Sequence, residues 1–249
     1  MANNLHDTHF HLDLQESRNE SLKEIETNEI YTIAVTNLPP LYEKLNKEIN
    51  SKYVRIALGF HPELIEEYQR YIPDMWRLLP SAKYIGEVGI DLKAGKKSKN
   101  LQISFFEELV TRCNAVRNKI LSVHSRMASS EVITIIGDKF QGKIILHWYS
   151  GTKQNQVHAI NNGYYFSVNY AMLFSDSGRK IIANIPDDKI LIETDSPFIQ
   201  INKQIFRPYN IGKIVEEIAA IKGSDLNYMQ HVLWNNFLNI ISNNNNDIK

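Results

Sequence analysis

The segment 5–12, LHDTHFHL, decides how this chain is expected to fold and where its chemistry should lie. Side chains alternate along a β-strand, so Asp7, His9 and His11 share one face and Thr8, Phe10 and Leu12 share the other. Two imidazoles on one strand face can chelate a single metal ion. An HxH pattern also occurs in ordinary strands, so the rest of the sequence must decide between a metal site and two structural histidines.

Seven further strand-like segments follow and alternate with longer amphipathic stretches, which is typical of repeated βα units. They are predicted at 31–36, 54–60, 84–90, 119–125, 143–149, 164–169 and 190–195. Eight strands in 249 residues favour an α/β fold of the TIM (β/α)8 barrel type. We expect one domain over residues 1–242, followed by a frayed Asn-rich tail over 243–249.

The helices between the strands are also readable. Residues 101–116 carry an apolar stripe at spacings of three and four that runs from Leu101 to Val116. Residues 211–221 repeat this pattern, and Gly223 is predicted to stop that helix. Ser224 is then predicted to cap a closing helix over 225–241.

Charge and composition exclude several classes of protein. The 28 basic side chains equal the 28 acidic ones, and a neutral chain is a poor non-specific coat for duplex DNA. Cys113 is the only cysteine, which excludes an internal disulfide and favours a reducing compartment. No signal peptide and no apolar run of membrane-spanning length is recognisable. A cytoplasmic protein without a membrane partner is therefore predicted.

Polar side chains concentrate at the carboxyl ends of the predicted strands. In a parallel barrel these ends form the mouth where catalytic groups collect. The group comprises His9, His11, Glu87, His124, His147 and Asp195. Imidazole with carboxylate suits zinc, manganese or iron, and magnesium when more oxygen is present. Four histidines and two carboxylates exceed what one ion needs, so two ions sharing a carboxylate are predicted. Satisfied core histidines remain the alternative, and His6, His158 and His231 are interpreted as structural or surface residues.

Six motifs occur in the order found in the TatD family of metal-dependent DNases, which this chain resembles over residues 5–241. They are DTHFHLD (7–13), GFHPEL (59–64), GEVGID (86–91), VHSR (123–126), HWYSG (147–151) and ETDSPF (193–198). The resemblance implies a TIM barrel of the metal-dependent amidohydrolase type with two divalent ions, Mg²⁺, Mn²⁺ or Zn²⁺. It also implies 3′–5′ exonuclease cleavage of DNA.

The resemblance implies roles for individual residues. His9, His11 and Asp195 would bind the first ion, and His124 and His147 would bind the second. Glu87 would bridge the two ions. Asp195 would also take a proton from the attacking water, which makes Asp195 and Glu87 the expected catalytic pair. His61 would contact the substrate phosphate.

Basic residues near the mouth are candidate substrate contacts. The loop 93–99 carries Lys93, Lys96, Lys97 and Lys99, which either track a nucleic-acid backbone or form a solvated loop. Arg126 follows His124 at a strand end, where its planar guanidinium suits phosphate.

Trp148 and Glu193 lie close to expected ligands in the sequence, and strand alternation predicts the direction in which each side chain points. Trp148 and Tyr149 follow His147, where an aromatic ring either stacks on a nucleic-acid base or packs against a helix. Strand alternation favours the second for Trp148, which is predicted to point away from His147 and to pack outside the barrel. Glu193 should face the barrel interior and orient ligands.

The preferred hypothesis is a phosphodiesterase that acts on single-stranded or frayed DNA. Two alternatives remain: an ester or amide hydrolase, such as an aminoacyl-tRNA deacylase, and a non-catalytic component of a defence complex. The variants ILHWYSG (145–151), HSRMA (124–128) and FSVNYAML (166–173) resemble the TatD-like member of the Qat anti-phage operon. That resemblance implies an ATPase and a QueC-like protein as partners.

Overall fold

Eight parallel strands form the centre of the protein. The structure, a computed structural model, describes residues 4–94 and 96–242, without the side chain of Lys96. The strands are β1 (His6–Phe10), β2 (Tyr31–Ala34), β3 (Val54–Ile56), β4 (Tyr84–Gly89), β5 (Ile120–His124), β6 (Lys143–His147), β7 (Tyr165–Val168) and β8 (Ile190–Ile192). Each lies within the segment predicted for it, usually with shorter ends.

Each strand pairs in parallel with its neighbour in chain order, from β1 to β3 and from β4 to β8. Leu58 and Ile85 form an isolated parallel bridge between these two sheets. At the other junction the Thr8 hydroxyl donates to the Ile192 carbonyl, at 3.1 Å. Asp195 N donates to the His9 carbonyl, at 2.9 Å. The strands therefore close into the predicted barrel.

The segment that follows β3 requires a glycine at position 59. A Cβ atom on Gly59 would lie only 1.6 Å from the carbonyl oxygen of Thr36. A residue with a side chain cannot bring its backbone this close to a neighbouring strand.

Among the described residues, ten α-helices follow the strands or come after the last strand, and 3-10 turns join several of them. They are α1 (Arg18–Thr27), α2 (Pro39–Glu48), α3 (Ile72–Leu78), α4 (Lys99–Val116), α5 (Ser129–Ile136), α6 (Lys153–Asn161), α7 (Tyr170–Leu173), α8 (Asp176–Asn184), α9 (Gly212–Lys222) and α10 (Leu226–Ile241). In the described part of the chain, no helix is long and apolar enough to cross a bilayer.

Two details of the helix predictions need correction. Val116 ends the predicted apolar stripe of α4 but is exposed, because the helix stops at this residue. The cap of α10 is Asp225 rather than Ser224, since the Asp225 carboxylate accepts from the backbone N–H groups of Asn227 and Tyr228. Gly223 ends α9 in the left-handed conformation, as predicted.

The amino-terminal end of the barrel is filled by apolar side chains. Tyr84, Ile120 and Tyr165, at strand starts, cluster there with Phe237 of α10. His6 stacks on Phe237 at 4.7 Å between ring centroids. Polar chemistry is thereby left to the carboxyl ends of the strands. One domain over 1–242 stays a prediction, and the predicted tail 243–249 lies outside the described residues.

Candidate metal centre

The six residues predicted as metal ligands come together at the carboxyl end of the barrel. They derive from five strands: His9 and His11 from β1 and its exit, Glu87 from β4, His124 from β5, His147 from β6 and Asp195 from the segment after β8. All are buried except His124, whose side chain is 14% exposed. A site built from strand ends is held by the barrel itself rather than by mobile loops.

A first donor group consists of His9, His11, Asp195 and the Oε2 atom of Glu87. The two imidazole Nε2 atoms lie 3.2 Å apart. Glu87 Oε2 is 3.4 Å from His9 Nε2 and 3.3 Å from His11 Nε2. Asp195 Oδ1 lies 3.8 and 3.5 Å from the same two atoms.

These distances test whether the first donor group fits a cation. Ligand atoms arranged tetrahedrally about 2.05 Å from a zinc ion lie roughly 3.3 Å apart. The observed separations, 3.2–3.8 Å, are close to that edge length. The donor set therefore fits a divalent ion in both chemistry and spacing.

A second donor group surrounds the other oxygen of the same carboxylate. Glu87 Oε1 lies 2.6 Å from His124 Nδ1, 3.0 Å from His147 Nε2 and 3.4 Å from His61 Nε2. The facing nitrogens of His124 and His147 are 3.3 Å apart. His61 thus lies beside these donors and also lines the cavity above them, and its predicted contact with the substrate phosphate stays a prediction.

The charges of the two donor groups are strongly coupled. Burial alone would raise the pKa of Glu87, but the neighbouring imidazoles outweigh it and hold that pKa well below its usual range. Burial alone would lower the pKa of His11, whereas hydrogen bonds to Asp195 and Glu87 raise it to about 10. Glu87 and Glu193 likewise hold the pKa of His147 well above its usual value against the effect of burial. Positive charge is thus favoured at this point, which suits a cation.

Two hydrogen bonds and one longer ion-pair contact orient the imidazoles. Ser122 Oγ lies 2.7 Å from His9 Nδ1, and Asp91 Oδ2 lies 2.9 Å from His124 Nε2. Glu193 Oε1 is 3.5 Å from His147 Nδ1, on the barrel-facing side predicted for this residue. Partners of this kind fix the ring rotation and the tautomer of a ligating histidine.

Asp91 was missed among the candidate residues, although it ends the motif GEVGID (86–91). The available signal was a carboxylate at the end of β4, next to the strand that carries His124. The partnership of Ser122 with His9 links β5 to β1 across the barrel, and no local pattern indicates it.

Beneath the site, Asp7 connects β1 to the segment that follows β8, where the barrel closes. Its carboxylate accepts from His9 N at 3.1 Å, from Thr194 N at 3.0 Å and from the Thr194 hydroxyl at 2.5 Å. Burial raises the pKa of Asp7 to about 7. These bonds tie the strand of His9 to the segment that carries Asp195.

A cavity of about 500 Å³ opens above the donor groups. Its walls include Arg126, which is exposed, and two aromatic side chains, Trp148 and Phe198. The prediction that Trp148 packs outside the barrel is wrong. The backbone turns into the left-handed region at Trp148 (φ +40°), which breaks the strand alternation and brings the indole to the mouth.

The lysines of the loop 93–99 differ in their contacts with the rest of the protein. Lys99 Nζ forms an ion pair with Glu131 at 3.2 Å. Lys93 and Lys97 are exposed, and neither lines the cavity. The side chain of Lys96 lies outside the described residues, so its predicted contact with substrate stays a prediction.

Comparison with known proteins agrees with this architecture. Residues 6–242 match the family described as TatD related DNase. Human deoxyribonuclease TATDN3 is 29% identical over 94% of this chain and 93% of its own length. An uncharacterized metal-dependent hydrolase of Methanocaldococcus jannaschii is 26% identical over 92% of this chain and 94% of its own length.

The fold is shared with a TatD homolog from Escherichia coli, with a TM-score of 0.86 at 20% identity. The matched region covers 96% of this chain and 98% of that structure. An α/β barrel with clustered metal-binding side chains and a family match over residues 6–242 leads to one conclusion: the chain belongs to the TatD family of metal-dependent hydrolases.

Proposed function

We propose that this protein is a two-metal phosphodiesterase that removes nucleotides from unpaired 3′ ends of DNA. The observation that carries the proposal is the Glu87 carboxylate, whose two oxygens face two separate donor groups on the floor of one cavity. A pair of divalent ions, when bound there, supplies activated water and neutralises the charge of a phosphodiester.

The protein groups have distinct proposed tasks in this reaction. His9, His11 and Asp195 hold the first ion, and His124 and His147 hold the second. Asp195 accepts the proton of the attacking water. The Arg126 guanidinium and His61 orient the phosphate from the cavity wall, since Arg presents a planar fork that matches phosphate oxygens.

The shape of the cavity and the relatives together support the substrate class. A volume of about 500 Å³ suits a ligand of one or two nucleotides and is too small to enclose a duplex. The human relative is named a deoxyribonuclease, and this supports DNA over RNA. Polarity and the preference for unpaired ends rest on the resemblance to the TatD family.

The test uses oligonucleotides labelled at either the 5′ or the 3′ end. The purified protein is incubated with single-stranded DNA, blunt duplex or RNA, and with Mg²⁺, Mn²⁺, Zn²⁺ or EDTA. We expect stepwise shortening of 5′-labelled single strands that requires metal, and slower loss from blunt duplex. No cleavage of any nucleic acid with any ion, but release of the amino acid from aminoacyl-tRNA, would instead establish the ester hydrolase.

The lysines of the loop 93–99 should contribute to DNA binding by attracting the phosphate backbone. Replacing Lys93, Lys96 and Lys97 by serine is expected to flatten the salt dependence of binding to single-stranded DNA. Each lost phosphate contact reduces the log–log slope by roughly 0.7. Fluorescence anisotropy of a labelled oligonucleotide at several salt concentrations measures that slope.

Lys99→Ser is the matched control for this loop, because Lys99 is already paired with Glu131. Its slope should equal that of the wild type. An unchanged slope in the triple variant would leave the lysines as a solvated loop.

We further propose that the chain works in a Qat anti-phage system, in the cytoplasm, together with an ATPase and a QueC-like protein. This assignment is supported by the resemblance of three segments to the TatD-like Qat protein: ILHWYSG (145–151), HSRMA (124–128) and FSVNYAML (166–173). Phage plating on cells with the whole operon should show protection that a His9→Ala/His11→Ala variant loses. Equal protection by both would exclude a catalytic role in defence and would favour a non-catalytic component.

A further inference from the structure

The Trp148 backbone is held in an unusual conformation at the mouth of the barrel. A φ of +40° is uncommon for any residue except glycine and is an outlier for a bulky side chain. Glu193 Oε1 accepts a hydrogen bond from Trp148 N at 3.1 Å, and this fixes the turn after β6. The indole remains 37% exposed and lines the cavity. The fold thus places a large aromatic ring at the mouth, with more than a third of its surface left exposed.

Phe198 lies on the same cavity and is 58% exposed. Its ring meets the His11 ring at 5.1 Å and nearly perpendicular, so it stands directly beside the first donor group. Its backbone N–H donates to the Asp195 carbonyl at 2.9 Å. The backbone at both aromatic residues is therefore anchored to carboxylate residues of the site, Glu193 and Asp195, while both side chains stay partly exposed in the cavity.

The composition of the cavity indicates what these rings contact. Its floor is made of histidines and carboxylates, and Arg126 is exposed on the wall. A ligand that fits both parts carries an anionic phosphate next to a flat apolar ring. A nucleotide with its base unstacked from its neighbours has this combination, and aromatic side chains stack on any base.

We propose that Trp148 and Phe198 stack on the base of the nucleotide next to the scissile phosphate and thereby make the enzyme select unpaired bases. This rests on the proposed phosphodiesterase function. A base that is paired inside a duplex cannot present its face to a side chain. Selection of unpaired ends would then be a property of these two rings rather than of the metal centre.

The experiment compares two single-stranded oligonucleotides that differ only in whether the 3′-terminal nucleotides carry bases or are abasic. Trp148→Ala and Phe198→Ala should each raise KM for the base-bearing strand roughly 5- to 150-fold, the range of one lost base stack. The KM for the abasic strand should hardly change. Trp148→Phe keeps a ring and should retain most of the discrimination.

Two controls separate stacking from a structural effect. Tyr228→Ala removes an equally exposed ring on α10 and should leave both KM values unchanged. Trp148→Gly relieves the left-handed backbone but also removes the buried part of the indole, so its Tm should stay within a few degrees of that of the wild type although it loses the discrimination.

The outcomes are distinct. Equal KM increases on both strands, or none on either, would overturn the stacking proposal while leaving the phosphodiesterase intact. Failure of the wild-type protein to cleave either strand would overturn the proposed function and this inference with it.

Discussion

Purified Glu87→Ala protein is expected to hydrolyse DNA at least about a thousandfold more slowly than the wild type, because ions held here supply several kcal/mol of transition-state stabilisation. The two oxygens of Glu87 face the two donor groups, at 3.3 Å from His11 and 2.6 Å from His124. Its removal takes an anionic ligand from each group at once. Both ions should therefore be lost, and calorimetric titration with Mn²⁺ or Zn²⁺ should show no tight site.

The fold should survive this substitution. Glu87 lies at the mouth, whereas the apolar clusters fill the barrel floor and the space between strands and helices. In EDTA the variant should unfold within a few degrees of the wild type. Added metal should raise the Tm of the wild type alone, because only a protein that binds the ion is stabilised by it.

Glu216→Ala is the control, since it removes an exposed carboxylate from α9, a helix that contributes none of the donors described above. It should keep both activity and metal-dependent stabilisation. An active Glu87→Ala protein would refute the two-group arrangement. A variant that unfolds even in EDTA would indicate that Glu87 is structural.

The part of the site that follows strand periodicity could be predicted from the sequence. His9 and His11 share a face because they are two residues apart in β1. Glu87, His124 and His147 stand out because a parallel barrel strand is otherwise apolar. Once eight strands are recognised, their carboxyl ends must meet, so the ligand cluster follows from the fold.

The remaining features depend on contacts between distant segments or on irregular backbone. Asp7 bonds Thr194 across the barrel closure, 187 positions along the chain, and no local pattern indicates that pairing. Trp148 violates strand alternation because its φ is positive, and nothing in HWYSG marks the residue at which the strand ends. Asp91 reaches His124 only because β4 and β5 are paired in the observed register.

The irregular segments at the mouth also carry the residues expected to set this protein apart from other barrels with the same metal donors. The metal donors lie on strand ends that any such barrel provides. Substrate choice is expected from Trp148, Phe198 and Arg126, which belong to loops at the mouth. Loops on a rigid scaffold vary more freely than the strands, so specificity is the property least open to prediction from strand patterns.

Asp195→Asn is expected to lower the rate of hydrolysis by about a hundredfold or more while leaving one metal ion bound. Asp195 Oδ1 lies among the first donor group, 3.5 Å from His11 Nε2. The second donor group keeps His124, His147 and Glu87 Oε1 in this variant. Asparagine keeps the size of the side chain but removes its negative charge and its capacity to accept a proton from water at neutral pH. General-base catalysis alone typically contributes 10²–10⁴-fold.

The number of bound metal ions then distinguishes the role of Asp195 from that of Glu87. Activity measurements alone do not, because both substitutions lower the rate. Titration should show two sites in the wild type, one in Asp195→Asn and none in Glu87→Ala. If Asp195→Asn kept both ions and still lost hydrolysis, Asp195 would be confirmed as the proton acceptor but not as a metal ligand. Wild-type activity in Asp195→Asn would remove this residue from the reaction altogether. Loss of both ions in Asp195→Asn would mean that the two donor groups bind their ions as one unit, since both groups share the Glu87 carboxylate.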